Sequence, residues 1–322
     1  MRAIIREAYG SPDAVLELRD IDKPAITDDE VLVDVHAAAV AGDDWHLMQG
    51  RPYAARIATG LRRPKNRVPG RDVAGRVEAV GAAVTKLRAG DEVFGWCNGA
   101  HAEHVAVPAG QLARKPTPLT LEQAAVVPTS GFTALQAVRD VGRVEPGHQV
   151  LVIGASGGVG TFAVQIAKAL GAAVTSVCST TNTALVASLG ADAVIDYTLE
   201  DFTQRPERYD VIIDLVGNRS LADMRRVLGP SGTLVLVGGT GGRWLKGTHR
   251  FAGALLVTPF VRQRLRPLIH RDRKTDLKTL RQLIEAGKVT PVVSAHYPLA
   301  EVPDAIRHFA QGHARGKVVI TI

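Results

Sequence analysis

The sequence predicts a two-part α/β protein: a mainly β unit, then a parallel sheet with helices on both faces. Three observations carry this expectation. Up to about residue 120, short alternating segments (EVLVDVHAAAV, DVAGRVEAVG, GDEVFGW, AEHVAVP) are cut apart by Gly and Pro, the texture of a β, barrel-like unit. From His148 the rhythm changes to fully apolar runs alternating with amphipathic ones, the pattern of βαβ units buried on both sides of the sheet. Where the first such run meets its helix stands the glycine-rich turn Gly154-Ala155-Ser156-Gly157-Gly158-Val159-Gly160.

Taken in order, LEQAAVVPTSGFTALQAV reads as a helical pair broken at Pro128. QVLVIG is a strand, TFAVQIAKALG a helix, AAVTSVC a strand and NTALVASLG a helix. AVIDY, YDVIIDLVG, the helix through LADMRRVLG and the strand GTLVLVGG continue the alternation. The tail changes again: a helix at LKTLRQLIEAGKV, a strand-like AHYPL, a helix at VPDAIRHFAQG and a last strand KVVITI. That late strand could rejoin the first part, making the βαβ units an insertion between two pieces of the barrel. No repeat or low-complexity segment interrupts the pattern.

At 322 residues the chain suits two domains, and 46% hydrophobic against 22% charged residues supplies ordinary globular cores. No run is long enough to span a bilayer, and MRAIIREAYG reads as a strand start, so a cytoplasmic location is expected. Cys97 and Cys178 are too few for a disulfide framework or a four-cysteine zinc lobe. The net charge of +7 is spread along the chain without any nucleic-acid-binding signature. Its densest stretch, Arg262 to Lys274 (RQRLRPLIHRDRK), reads as a solvated helix face or loop, with contact to an anionic membrane surface as the lesser alternative.

The glycine-rich turn is the most informative segment. Glycine is needed where the turn is tight, where backbone must approach a pyrophosphate, and where helix and strand pack without a Cβ between them. The helix N-terminus then offers unpaired N–H groups and a positive dipole end to the phosphates. The pattern is A-x-G-x-x-G, slightly off the usual G-x-G-x-x-G, but it sits in the strand–turn–helix context that gives such a match its meaning. A Gly-rich turn in an unrelated α/β protein is the bland alternative. An NAD site places an acid at the end of the second strand. Here that strand ends Val177-Cys178-Ser179-Thr180-Thr181-Asn182, and no Asp or Glu occurs from Thr161 to Ala191. Hydroxyls and an amide suit a 2′-phosphate, so NADPH is the expected cofactor, with the cation supplied from elsewhere.

The motifs GRDVAGRVEAVG at 70–81, GDEVFG at 90–95, AEHVAVP at 102–108, GASGGVG at 154–160, LGADAVIDY at 189–197, GTLVLVGG at 232–239 and ARGKVVI at 314–320 resemble the medium-chain dehydrogenase/reductase superfamily. The resemblance spans nearly the whole chain and is to the zinc-free quinone oxidoreductase branch. It implies a GroES-like catalytic domain formed by both chain ends (1–120 and 261–322) and a Rossmann domain, a doubly wound parallel sheet, between them (121–260). It also implies that Gly157, Gly158, Val159 and Gly160 line the pyrophosphate and that Ser179, Thr180 and Asn182 face the adenosine ribose or its phosphate. Tyr197 matches an aromatic that approaches the 2′-phosphate, with a core-edge tyrosine as its plain reading, and Arg315 or Lys317 would supply the positive charge. Thr133 matches a hydroxyl near the nicotinamide, and Gly238 and Gly239 follow a strand that passes close to the ring. A homodimer is the family's default.

Zinc-dependent relatives carry a Cys shortly after the strand ending near Val40 and a Gly-His-Glu at the position of Gly70-Arg71-Asp72. Here Ala41-Gly42-Asp43 and Arg71 stand instead, and a cation cannot ligate zinc. Without a metal, alcohol oxidation loses its alkoxide stabilisation, whereas an electron-poor quinone or α,β-unsaturated carbonyl mainly needs to be held against the nicotinamide. The expected activity is therefore NADPH-dependent reduction of such acceptors, with alcohol/carbonyl turnover or a non-catalytic NADPH-binding regulator as alternatives. Tyr53 is the first candidate for an oxyanion or proton donor, against a packing tyrosine. Asp44 reads as a helix cap beside Trp45, His46 and His101 as plausible cleft residues against the commoner bland histidine, and the basic 54–67 stretch as a cover or a solvated loop. Related reductases often have Asn where Ala41 stands, so their polar contacts do not transfer directly.

Overall fold

The N-terminal alternating segments become β1 (Arg2–Arg6), β2 (Leu16–Asp20), β3 (Glu30–Val40), β4 (Asp72–Val80), β5 (Glu92–Trp96), β6 (His104–Pro108) and β7 (Leu112–Arg114). The apolar runs become β8 (Gln149–Ile153), β9 (Ala173–Cys178), β10 (Ala193–Asp196), β11 (Tyr209–Asp214), β12 (Leu228–Leu236) and β13 (Arg264–Pro267), and the tail supplies β14 (Val293–Pro298) and β15 (Lys317–Thr321). The computed structural model describes residues 1–51, 53, 56–238, 248–312 and 315–322.

One unit comprises Met1–Ser130, Asp272–Glu285 and Pro291–Ile322. Its hub is β3, whose Val31, Val33 and Val35 enter the core with Val73, Val93, Val107 and Ile320. One edge of β3 pairs antiparallel with β4. The other edge is shared, β6 taking Glu30 to Asp34 and β15 taking Ala37 to Val40. The sheet order is β14-β15-β3-β4-β5-β7, with β6 on β3, and β1 and β2 form a separate ribbon. The last strand of the chain thus completes the N-terminal sheet, as the GroES-like arrangement requires. A central strand sends its N–H and C=O groups to both edges, so the backbone of Ala37 to Val40, which β6 does not reach, is satisfied on that edge by β15.

The other unit comprises Gly131–Arg271 and Ala286–Thr290. Its six strands lie in the order β10-β9-β8-β11-β12-β13, all parallel. The helix Gly158–Ala169 is buried continuously from Gly160 to Ala167, which its small and apolar side chains permit. Because β8 has β9 on one side and β11 on the other, crossovers leave it on opposite faces. That reversal opens the crevice at the C-terminal ends of β8 and β11 where ligands of such sheets bind.

The division falls after Ser130 and Arg271, not after residues 120 and 260. The helix Leu121–Ala125, capped by Thr120 whose hydroxyl accepts the Gln123 N–H at 3.2 Å, packs on β3 and β4 and so stays with the first unit. Residues 264–267 pair with β12 and stay with the second. This also corrects the reading of the basic stretch. Only Arg264–Pro267 depart from it, forming an edge strand in which Leu265 is buried between exposed Arg264 and Arg266; residues 268 to 273 are loop, as read, and Lys274 opens the helix Lys274–Glu285. No helix among the described residues is long and apolar enough to cross a membrane.

Candidate functional site

The glycine turn begins where β8 ends. Gly154 has φ +83°, open to glycine at little cost, and a Cβ there would lie 2.8 Å from Val216. A Cβ on Gly160 would lie 2.2 Å from the Gly154 carbonyl oxygen and 2.7 Å from the Ala155 backbone, so glycine is what lets the helix sit on the turn. Gly157 differs. It is the N-cap of the helix Gly158–Ala169, with φ −77° and ψ 171° and no side-chain cap, and a Cβ would meet nothing closer than 3.5 Å. The fold does not demand glycine there. An anion approaching the first-turn N–H groups does, because a methyl would stand in its way. Gly158, Val159 and Gly160 form that first turn.

The adenosine end is organised by hydrogen bonds the sequence order conceals. Asn182 is buried, and its Nδ2 donates to Ser156 Oγ at 3.2 Å and to Ser179 Oγ at 3.1 Å. It therefore ties the glycine turn to the end of β9, while its Oδ1 is buried without a hydrogen-bond partner. Thr180 points at an acid that lies outside the second strand: its hydroxyl donates to Asp196 at the end of β10. Thr198 donates to the same carboxylate from its amide at 2.9 Å and its hydroxyl at 2.7 Å. These bonds, Thr180's first, lower the Asp196 pKa. Parallel pairing of Asp196 with Cys178 delivers this acid, so a search confined to the chain near β9 missed it. The apolar-then-acid ending of AVIDY was the available signal. Burial and then the Asp196 carboxylate push the Cys178 thiol up to about 11, so it stays protonated. Tyr197 is 55% exposed, with its amide bonded to the Cys178 carbonyl at 3.1 Å; it is no core-edge tyrosine.

At the nicotinamide end Gly238 donates its N–H to the Asp214 carbonyl at 3.1 Å, and a Cβ there would lie 1.9 Å from the Leu215 carbonyl oxygen. Gly239 lies outside the described residues. Asp214, which the sequence reading passed over, is fully buried; it accepts the Gly217 N–H at 2.8 Å and pairs with buried Arg250 at 2.8 Å. It fixes the turn leaving β11. Thr133 is buried in the helix Pro128–Leu135. The loop and the helix start fit a dinucleotide pyrophosphate, and the Ser179–Asn182 end fits its ribose.

In the first unit the expected site residues separate. Asp44 is buried and its carboxylate accepts the Ala41 N–H at 2.8 Å, capping the helix Gly42–Met48; Trp45 packs on the core beneath it. His46 is partly exposed in that helix. The ring of Tyr53 stacks on the Arg56 guanidinium at 4.9 Å, and Tyr9 covers the same guanidinium at 4.4 Å. Arg56 also donates to the Gly50 carbonyl at 2.9 Å, so part of the 54–67 stretch is anchored rather than solvated. We expect Tyr53→Phe, which keeps the stacking, to leave kcat within about twofold, since cation–π packing needs the ring and not the hydroxyl. A fall of a hundredfold would instead mark the hydroxyl as a proton donor.

Lys317, expected near a 2′-phosphate, is 3% exposed and directed at Asp72 at 3.4 Å. Asp72 also accepts the Thr129 amide at 3.0 Å and its hydroxyl. Lys317 is thus a buried counter-ion, closed to solvent phosphate; Arg315 is exposed. Arg71, at the zinc-ligand position, is held by Asp272. Among the described residues no group of three His, Cys, Asp or Glu could hold a metal ion.

His101 is also not a cleft residue. It is fully buried, its ring against Gly70, and burial lowers its pKa to about 4, opposed weakly by the Ala39 carbonyl. The sign follows: the folded state keeps His101 neutral while the unfolded state takes up a proton below its ordinary value near 6.5. Its contribution to stability is present above that value and is lost as pH falls towards the folded one, about 3 kcal/mol in all. Urea midpoints measured from neutral to acid pH should fall across this window, and the fall should flatten in His101→Gln. An unchanged slope in the variant would remove His101 as its origin.

Two parallel-sheet halves around a glycine turn, with a mainly β unit built from both chain ends, define a dinucleotide-binding protein of Rossmann and GroES-like construction. Residues 27–117 match the family model described as the alcohol dehydrogenase GroES-like domain, and residues 189–320 match that of the zinc-binding dehydrogenase. The mouse mitochondrial NAD(P)H oxidoreductase RTN4IP1 is 32% identical across 100% of this chain and 89% of its own. The chloroplastic NADPH-dependent alkenal/one oxidoreductase of Arabidopsis thaliana is 35% identical across 99% of this chain and 79% of its own. The solved quinone oxidoreductase from Coxiella burnetii superposes with a TM-score of 0.87 at 29% identity, covering 100% of this chain and 99% of that one. The chain belongs to the medium-chain dehydrogenase/reductase superfamily, in its quinone oxidoreductase branch.

Proposed function

We propose that this protein is an NADPH-dependent reductase of quinones or α,β-unsaturated carbonyls that works without zinc. The observation carrying the reading is the uncapped helix start at Gly157, with Asn182 bracing the turn against the end of β9. The names of the relatives, an alkenal/one oxidoreductase and quinone oxidoreductases, support the acceptor class. For zinc independence the support is chemical: Ala41 offers no donor, and Arg71 is a cation already paired with Asp272.

Bound reduced nicotinamide supplies a hydride, which such an acceptor takes at an electron-poor carbon. The protein's share is to bind, orient and exclude. The first-turn N–H groups of Gly158, Val159 and Gly160 hold the pyrophosphate, Gly157, whose own N–H donates to the Gly154 carbonyl at 3.2 Å, keeps their approach clear, and Gly238 follows the strand that passes beside the ring. Thr133 contributes a hydroxyl towards the developing oxygen charge. The proton comes from water.

NADPH rather than NADH is proposed on the state of Asp196. A carboxylate that selects NAD must be free to accept the ribose hydroxyls. This one already takes three hydrogen bonds, from Thr180 and Thr198. Its charge still opposes a 2′-phosphate across solvent, so Asp196→Asn should tighten NADPH about three- to tenfold and leave NADH unchanged. Weaker NADH binding in that variant would mean an NAD site. Homodimerisation, the family default, has support in β13 as an edge strand beside exposed Phe260 and Ile269, and light scattering checks it.

The deciding experiment mixes chelator-treated protein with NADPH or NADH and follows absorbance over 1,4-benzoquinone, 9,10-phenanthrenequinone, an alkenal and a simple ketone. Consumption of NADPH with quinone or alkenal, indifferent to chelation, is expected. Turnover of the ketone alone, or only with added metal, would overturn the proposal.

A further inference from the structure

The first unit contains a cavity of about 380 Å³ that shares no residue with the glycine turn. It lies between the β4–β5 connection, the segment entering β7 and the start of the helix Lys274–Glu285. Five cations line it: Lys86, Arg114, Lys274, Lys278 and Arg281; the one acid is Asp29. Two of the cations are already neutralised, Arg114 by Asp91 at 3.1 Å and Arg281 by Glu285 at 2.9 Å. Lys86 and Lys278 make no hydrogen bond or ion pair with any described residue, and Lys274 is anchored only through the Ala109 carbonyl at 2.8 Å. Asp29 is engaged by the Thr27 hydroxyl at 2.9 Å.

Three ammonium groups without an ion-pair partner therefore line the same cavity as one carboxylate, a surplus of two positive charges. The cluster is unfavourable as it stands. Lys274 opens its helix, where the dipole disfavours a cation, and Lys278 stands one turn further on the same face. Burial lowers the Lys274 pKa, and Lys278 and Lys86 add to the effect. The lining also includes the apolar side chains of Val84, Leu87 and Leu112. A phosphate monoester dianion on an apolar body matches both the surplus charge and these side chains.

We propose that this cavity is a second ligand site, binding a phosphate monoester through Lys86, Lys274 and Lys278, with its organic part against Val84, Leu87 and Leu112. Calorimetric titration with phenyl phosphate and with inorganic phosphate, at constant ionic strength, tests it. Phenyl phosphate should bind at least tenfold more tightly than inorganic phosphate, and Lys86→Gln/Lys278→Gln should weaken it tenfold or more. Both lysines are exposed, so the variant should melt like the parent, and Arg208→Gln in the other unit serves as the charge control. If Lys86→Gln/Lys278→Gln does not fold, Lys86→Gln alone should weaken binding about threefold. No binding, equal binding in the cavity variant, or equal loss in the control would overturn the site. Sedimentation with phosphatidic acid vesicles, competed by phenyl phosphate, would identify a lipid headgroup as the source; absence of sedimentation alongside phenyl phosphate binding identifies a soluble one.

Discussion

Gly157→Ala should fold like the parent and lose NADPH affinity at least tenfold, while Gly160→Ala should lose more than about 3 kcal/mol of stability. The two glycines stand three residues apart in one turn, yet they serve different masters. At Gly160 the new methyl would overlap the backbone of the turn, 2.2 Å from the Gly154 oxygen and 2.7 Å from Ala155. Backbone cannot swing aside as a side chain can, so helix and strand must part, at a cost of more than about 3 kcal/mol. At Gly157 the backbone angles suit alanine and the nearest atom is 3.5 Å away. The methyl there can even stabilise slightly by restricting the unfolded chain. What it obstructs is the approach of a phosphate to the helix N-terminus. Fluorescence titration with NADPH, beside urea unfolding of both variants, separates the two effects. NADPH binding by Gly157→Ala at the parent's affinity would mean that the turn does not hold the pyrophosphate.

Lys317→Met should cost about 3–5 kcal/mol of stability without altering the choice between NADPH and NADH. Asp72 is fully buried and Lys317 nearly so; removing the ammonium leaves a carboxylate satisfied only by Thr129. An uncompensated buried charge is among the few single changes expected to be this damaging. The pair ties β15 to the start of β4 inside the first unit. Adding Asp72→Asn should restore part of the loss, because the double variant buries no charge. The measurement is the urea midpoint together with the ratio of dissociation constants for the two cofactors. A variant that melts like the parent but no longer prefers NADPH would return Lys317 to the cofactor site.

Local rules were enough for most strands and helices, because an apolar run leading into a glycine turn and a helix has few other ways to satisfy its backbone, but not for the arginine-flanked edge strand Arg264–Pro267, which has no such run. They were enough for the glycine turn too, since glycine's conformational freedom is a property of the residue itself. The zinc-ligand positions could be judged in the same way: alanine and arginine cannot ligate in any fold. The closing strand KVVITI was legible only as a possibility, for pairing is a matter between distant segments. What tertiary structure alone decided was the company each polar side chain keeps. It set Asp196 at the end of β10 beside Thr180 just after β9, buried Lys317 against Asp72, laid Tyr9 on Arg56 and closed His101 from solvent. It also gathered Lys86, Lys274 and Lys278 from opposite ends of the chain around one cavity. The reason is physical: a side chain's charge, hydrogen bonding and exposure depend on neighbours within a few ångströms, and in this fold those neighbours come from residues tens to hundreds of positions away.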